Sequence, residues 1–171
     1  MSSSNRVRVQ RVLREAEGYL ELGMPQTALE LLAGIKDPGT FRGQQLYLSG
    51  EAWRAMEQYQ EAVVALEQAS DLIPSKLDVW LALGWCRKRT GRLDLAIEAL
   101  ERAEEVSPGE ALIQYNLACY WSLAGKKQRA LKYLSRAISI DSHYRDLIGD
   151  EPDFDPIRSD PEFRALIEII V

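Results

Sequence analysis

An all-α fold built from stacked antiparallel helix pairs is predicted by three features of this 171-residue sequence. First, small residues recur at a fixed interval: Ala28, Ala62, Ala96 and Ala130 are each 34 positions apart, a period typical of helical repeat arrays. Second, the same interval carries Ala16, Gly50, Gly84 and Ala118, Leu32, Leu66, Leu100 and Leu134, and Ile35, Ala69, Ala103 and Ala137. Third, apolar residues inside each interval fall at i, i+3, i+4 and i+7, as in Leu93, Ala96, Ile97 and Leu100. That spacing gives each helix one buried stripe.

The period divides the chain into an N-terminal tail (1–8), four units without insertions (9–42, 43–76, 77–110 and 111–144) and a C-terminal segment (145–171). Each unit splits into two helix-length halves near Gly23, Glu57, Gly91 and Gly125. Three of these four residues are glycines, which adopt the positive φ of a helix C-terminus without strain. Each unit therefore reads as a helical hairpin, with helix B facing its own helix A. The alanines and glycines sit where two helix backbones approach too closely for a branched side chain. A bulky group at Ala96 or Gly84 is expected to cost about 1–3 kcal/mol through overpacking.

Trp80, Leu83, Gly84, Ala96, Ala103 and Pro108 in the third unit make the sequence resemble the tetratricopeptide repeat (TPR) family. The resemblance implies a right-handed αα superhelix, a TPR solenoid of four repeats closed by a helical C-terminal cap. The sequence departs from the family pattern at Arg87, where the other units carry Tyr19, Trp53 and Trp121. The first repeat is also degenerate at its end: Asp37-Pro38-Gly39 replaces the last turn of its second helix, and Thr40 stands where the family has proline. A differently bent join to the second repeat is expected there.

A repeat stack needs a polar-faced element to close its last hydrophobic face. The stretch from Asp153 to Ile167 resembles the aspartate- and proline-rich ending of many bacterial members of the family. Asp160-Pro161-Glu162 reads as an N-cap, a first-turn proline and a helix start. Phe163, Leu166 and Ile167 follow as its buried stripe, and Phe154 and Ile157 anchor the preceding turn. The acidic run from Asp146 to Asp160 is read as the solvated face of this cap, with a binding tail as the alternative. Arg6, Arg8, Arg11 and Arg14 crowd the first helix; a solvated face is the expected role, and a basic handle for an acidic partner the other.

The family resemblance implies that the first helices of the repeats line a concave surface, with positions 2, 5, 9, 12 and 13 pointing into the groove. On that mapping Tyr47, Leu81, Trp85, Leu112 and Tyr115 form an apolar strip, the kind of surface that marks a binding site. Trp85 is expected to contribute most to partner binding, and packing against the next repeat or the cap is its competing role. Arg54, Lys88 and Arg89 lie on one rim, where they can pair with acidic groups of a bound segment. Cys119 faces the same groove beside Tyr115. Trp53, Trp80 and Trp121 are assigned to the hairpin core instead. The lysine, arginine and asparagine set with which family members clamp chaperone C-termini is missing: the matching positions hold Leu13, Glu17, Leu48, Asp78 and Ala82, or, one repeat later, Tyr47, Glu51, Ala82, Leu112 and Asn116.

Composition narrows the function further. Net charge is −5 and the pI is about 5.1, without the basic excess of a nucleic-acid binder. The acidity lies in the C-terminal segment, since residues 145–171 hold eight acids against three bases. Cys86, Cys119 and the single His143 make no metal-ligand spacing, so no metal or other cofactor is expected. No catalytic motif is present. The N-terminus lacks the apolar core of a secretory signal, and apolar runs are too short to span a bilayer. The expected protein is a non-catalytic cytoplasmic adaptor, bacterial by the style of its C-terminal ending, that binds another polypeptide. A self-assembling scaffold is the alternative reading.

Overall fold

The structure, a computed structural model, describes residues 2–168; Met1 of the N-terminal tail and residues 169–171 of the C-terminal segment lie outside the described residues. All regular elements among the described residues are helical. The chain divides into two compact units, Met1–Arg92 and Leu93–Val171.

The first unit holds α1 (Ser3–Glu21), α2 (Pro25–Ala33), α3 (Arg42–Ala55), α4 (Tyr59–Leu72) and α5 (Leu77–Arg89), with a short 3-10 turn at Gly39–Phe41. Neighbouring helices pack in chain order, and α1 meets α3 and α3 meets α5. Val9, Leu13, Ala16, Ala28, Leu32 and Leu48 form one buried cluster. Leu46, Ala69 and Val79 form another. The periodic residues Ala28 and Ala62 are fully buried, as a close helix crossing requires.

Helix α2 has 9 residues, against 14 in α4, and stops before Asp37-Pro38-Gly39. Proline cannot continue a helix, and stopping early leaves carbonyls open. Gln45 closes them from α3: its buried amide donates to the carbonyls of Leu32 at 2.7 Å and Ile35 at 3.3 Å.

The second unit holds α6 (Leu93–Val106), α7 (Ala111–Leu123), α8 (Lys127–Ile140), α9 (Tyr144–Leu147) and α10 (Pro161–Glu168), with a 3-10 turn at Pro152–Phe154. Helices α7 and α8 form a hairpin around the fully buried Leu117, Ala118, Ala130, Leu134 and Ala137. The 3-10 turn lies on α7, and α9 and α10 lie on α8. Asp160 begins α10 as its sequence suggests, with Oδ1 accepting from the Glu162 amide at 2.9 Å while Oδ2 accepts from Lys127 Nζ at 2.9 Å. The lysine hydrogen bond holds the Asp160 carboxyl below its ordinary range. Arg158 ties the intervening loop together by donating to the carbonyls of Ile148, Gly149 and Glu151.

One turn recurs through both units. The amides of Met24, Gln58, Arg92 and Lys126 donate to the carbonyls of Tyr19, Trp53, Arg87 and Trp121 at 2.8–2.9 Å. This six-to-one bond needs a left-handed residue just before the donor. Gly23, Gly91 and Gly125 supply it at φ 70°, 77° and 68°, and Glu57 supplies it at φ 61° as the one non-glycine with positive φ among the described residues. A left-handed non-glycine costs roughly 1–2 kcal/mol, part of which glycine returns as extra entropy of the unfolded chain. Glu57→Gly is therefore expected to stabilise the protein by about 0.5–1 kcal/mol, read as a higher urea midpoint at unchanged slope. An unchanged or lower midpoint would contradict that strain.

Candidate protein-interaction face

In the first unit the residues assigned to the groove come from α3 and α5. Tyr47, Arg54, Leu81 and Lys88 are half-buried, and Trp85 and Arg89 are exposed. Trp85 is 37% exposed, although tryptophan is on average a highly buried residue. Its ring is held nonetheless. Tyr59, on the first turn of α4, meets it edge-on at 5.2 Å with planes at 76°. The Arg54 and Arg89 guanidiniums lie 5.4 and 5.6 Å from its centre, and Arg89 also lies 5.2 Å from the Tyr59 ring.

Glu51 fixes Arg54 in place through two parallel hydrogen bonds, Nε to Oε1 at 2.9 Å and Nη2 to Oε2 at 2.7 Å. The hydrogen bond to Glu51 raises the Arg54 pKa, so the guanidinium stays charged. The fork arrangement suits arginine and not lysine. One turn away, Lys76 Nζ sits 4.9 Å from the centre of the Tyr47 ring. Burial first, then Glu51 and Asp78, push the Tyr47 hydroxyl above its ordinary range, leaving it a neutral donor. Behind these rings Cys86 is buried, and burial pushes its thiol up to about 12. It is a packing residue, since reactivity requires the thiolate.

The structure thus brings Arg54, Arg89 and Tyr59 together around Trp85, with Tyr47 and Lys76 forming a separate pair. Tyr59 was missed from the sequence. Its equivalents one period away are Pro25 and Leu93, so the available signal was an aromatic ring at a position that is otherwise non-aromatic.

In the second unit the expectation fails for two residues. Leu112 is 44% exposed, but Tyr115 and Cys119 are only 6% and 2% exposed. Neither can meet a partner directly. The physical reason is that the chain's own C-terminal segment occupies the face of α7. Tyr144 lies 4.9 Å from the Tyr115 ring, and Phe154 meets it edge-on at 5.7 Å. Burial pushes the Tyr115 hydroxyl above its ordinary range. Trp80, assigned to the core, donates its indole N–H to the Pro74 carbonyl at 2.7 Å and so secures the turn into α5. Arg129 stacks 4.3 Å over Trp121 on the last hairpin.

Periodic helical hairpins with an aromatic and cationic face define a helical-repeat protein. A tetratricopeptide repeat family model matches residues 54–118. Two solved structures of MamA are similar at 25% identity: one covers 81% of both chains at a TM-score of 0.73, the other 82% of this chain and 76% of its own at 0.71. The structure of YrrB, a TPR protein with an unusual peptide-binding site, is 23% identical over 82% of this chain and 71% of its own, at a TM-score of 0.70, and speaks for the fold alone. No curated protein matches the sequence. Residues 54–118 thus match the tetratricopeptide repeat and the chain shares the all-helical repeat fold of these structures, a fold that is generally a non-catalytic scaffold for protein interaction. No helix among the described residues is long and apolar enough to cross a membrane.

Proposed function

We propose that this chain is a non-catalytic adaptor that captures a segment of a partner polypeptide on the α3–α5 face, with Trp85 as the anchor. The observation that carries this reading is the Trp85 ring, partly open to solvent yet held by Tyr59, Arg54 and Arg89. A large side chain that is already ordered loses little entropy on binding, and tryptophan and arginine dominate interface energies. The peptide-binding site of YrrB, on a similar fold, supports a peptide as the class of guest. Leu81, one helical turn before Trp85, extends the apolar contact, and Lys88 adds charge to the rim. A cytoplasmic, bacterial setting belongs to the same reading.

Selection of a displayed random-peptide library on the wild-type chain tests it. Enriched peptides should lose about 30-fold or more in affinity for Trp85→Ala, the effect of a hot-spot residue worth about 2 kcal/mol. Val64→Ser, a change at a residue 58% exposed on α4, should leave their affinity within about twofold, as expected of a surface position outside the contact. Peptides that bind Trp85→Ala as tightly as wild type would place the site elsewhere.

A further inference from the structure

The groove leaves one strongly charged surface unused. Along α1 before Glu15, Arg6, Arg8, Arg11 and Arg14 are exposed and no acid occurs. Arg6 is engaged with the Phe41 ring at 5.9 Å. Arg8, Arg11 and Arg14 make no ion pair among the described residues. Val7 lies between them, 63% exposed.

Beside this basic stretch, between α1 and the end of α2, is a cavity of about 550 Å³. Its apolar walls are Val9, Val12, Leu31 and Ile35, and Arg8 and Lys36 stand on its rim. Glu30 and Asp37 also line the cavity; they accept hydrogen bonds from neutral amides, Asp37 from Asn5 at 3.4 Å and Glu30 from Gln26 at 3.1 Å, and keep their charge. The basic excess here comes from the exposed Arg11 and Arg14 beside the cavity, and together with the apolar walls it suits an apolar side chain whose flanking carboxylates reach α1.

The second unit carries such a group. Leu147 on α9 is 42% exposed, an apolar side chain with Asp146 next to it and Asp150 shortly after, all three exposed. Two other acids of this segment are paired locally, Asp155 with Arg158 and Asp160 with Lys127. Among the described residues Asp146 pairs with His143 alone, at 3.7 Å, which is a partner when protonated.

We infer that the chain associates with a second copy of itself, Leu147 of one molecule entering the α1–α2 cavity of the next while Asp146 and Asp150 meet Arg8, Arg11 and Lys36. The two surfaces are different, so the contact is head-to-tail, and a joined pair keeps one free surface of each kind. Such a heterologous contact can be repeated from copy to copy. It involves neither Trp85 nor its neighbours and is independent of the peptide-capture reading.

Sedimentation velocity on the purified chain tests this. The wild type should show an average mass that rises with concentration above that of the monomer and falls as salt is raised, because exposed charges are screened. Arg8→Glu with Arg11→Glu, and separately Asp146→Lys with Asp150→Lys, should each weaken self-association by more than about ten-fold, since like charges set face to face are disfavoured. Leu147→Ser should weaken it without altering any charge. All substituted side chains are exposed, and unchanged circular dichroism checks that the variants fold. The chain with all four charge reversals should regain association, because its complementarity is restored with the signs exchanged. A wild type that stays monomeric into the high micromolar range overturns the inference, even if its α1 surface then binds an unrelated acidic peptide or anionic vesicles. Association that all three variants leave unchanged also overturns it.

Discussion

Phe154→Ala is expected to lower the stability of the second unit by about 3–5 kcal/mol, the range for removing a fully buried phenylalanine from a packed core. Phe154 has no measurable exposure. It joins the two halves of the C-terminal segment to the repeat helices, meeting Tyr115 of α7 edge-on at 5.7 Å and Phe163 of α10 at 5.6 Å. Helix α10 has eight residues, too few to persist without tertiary packing. Removing the ring therefore undoes α10 and its buried Phe163 together, not one contact. The Asp160–Lys127 bridge is too exposed to hold the segment alone. Hydrogen exchange should report the loss first in the amides of α10, and denaturant unfolding should report its size. A loss under about 1 kcal/mol would mean that the segment is held by something other than this aromatic cluster.

The same segment explains where sequence reasoning stopped. A period assigns equivalent residues equivalent surroundings, so Tyr115 and Cys119 inherit the open face that Leu81 and Trp85 have in the preceding helix pair. Repeats at the end of an array lack a neighbour, and their spare surface is covered by whatever follows. Here the follower is an aperiodic turn around Phe154, which no interval of 34 encodes. Gln45 escaped notice for a similar reason. Its amide serves carbonyls left open by the shortened α2, a local compensation for a local defect. Tyr59 was overlooked because it belongs to a second helix, whereas the implied groove counts only first helices.

Where the period holds, detail was legible at the level of one residue. The turn positions Gly23, Gly91 and Gly125 are left-handed as glycine suggests, and Glu57 is left-handed because its register demands it, against its own preference. Registry therefore overrides residue preference inside the array, and local chemistry takes over at its ends. The truncation at Asp37-Pro38-Gly39 was visible for the opposite reason, since proline acts through its own ring and needs no context.

The close-packed positions give the sharpest test of the periodic part. Gly50 shares its register with Ala16 and Ala118, both fully buried, so a methyl group is accepted there in two other helix pairs. At Gly50 it is not: an added Cβ would lie 2.6 Å from Leu66 Cγ and 2.7 Å from its Cδ2. Helices α3 and α4 leave no space for a side chain at this crossing. Alanine would recover up to about 1 kcal/mol of helix propensity against that clash, which makes Gly50→Ala a blunt probe. Gly50→Val gains little propensity and adds two more carbons, so it should cost about 3 kcal/mol, the upper part of the overpacking range. Adding Leu66→Ala should then give a double variant more stable than the sum of the two single losses, by about 1–3 kcal/mol of coupling, because the cavity left by leucine accepts the valine. Strictly additive losses in denaturant unfolding would show that the glycine is not there to let these two helices touch.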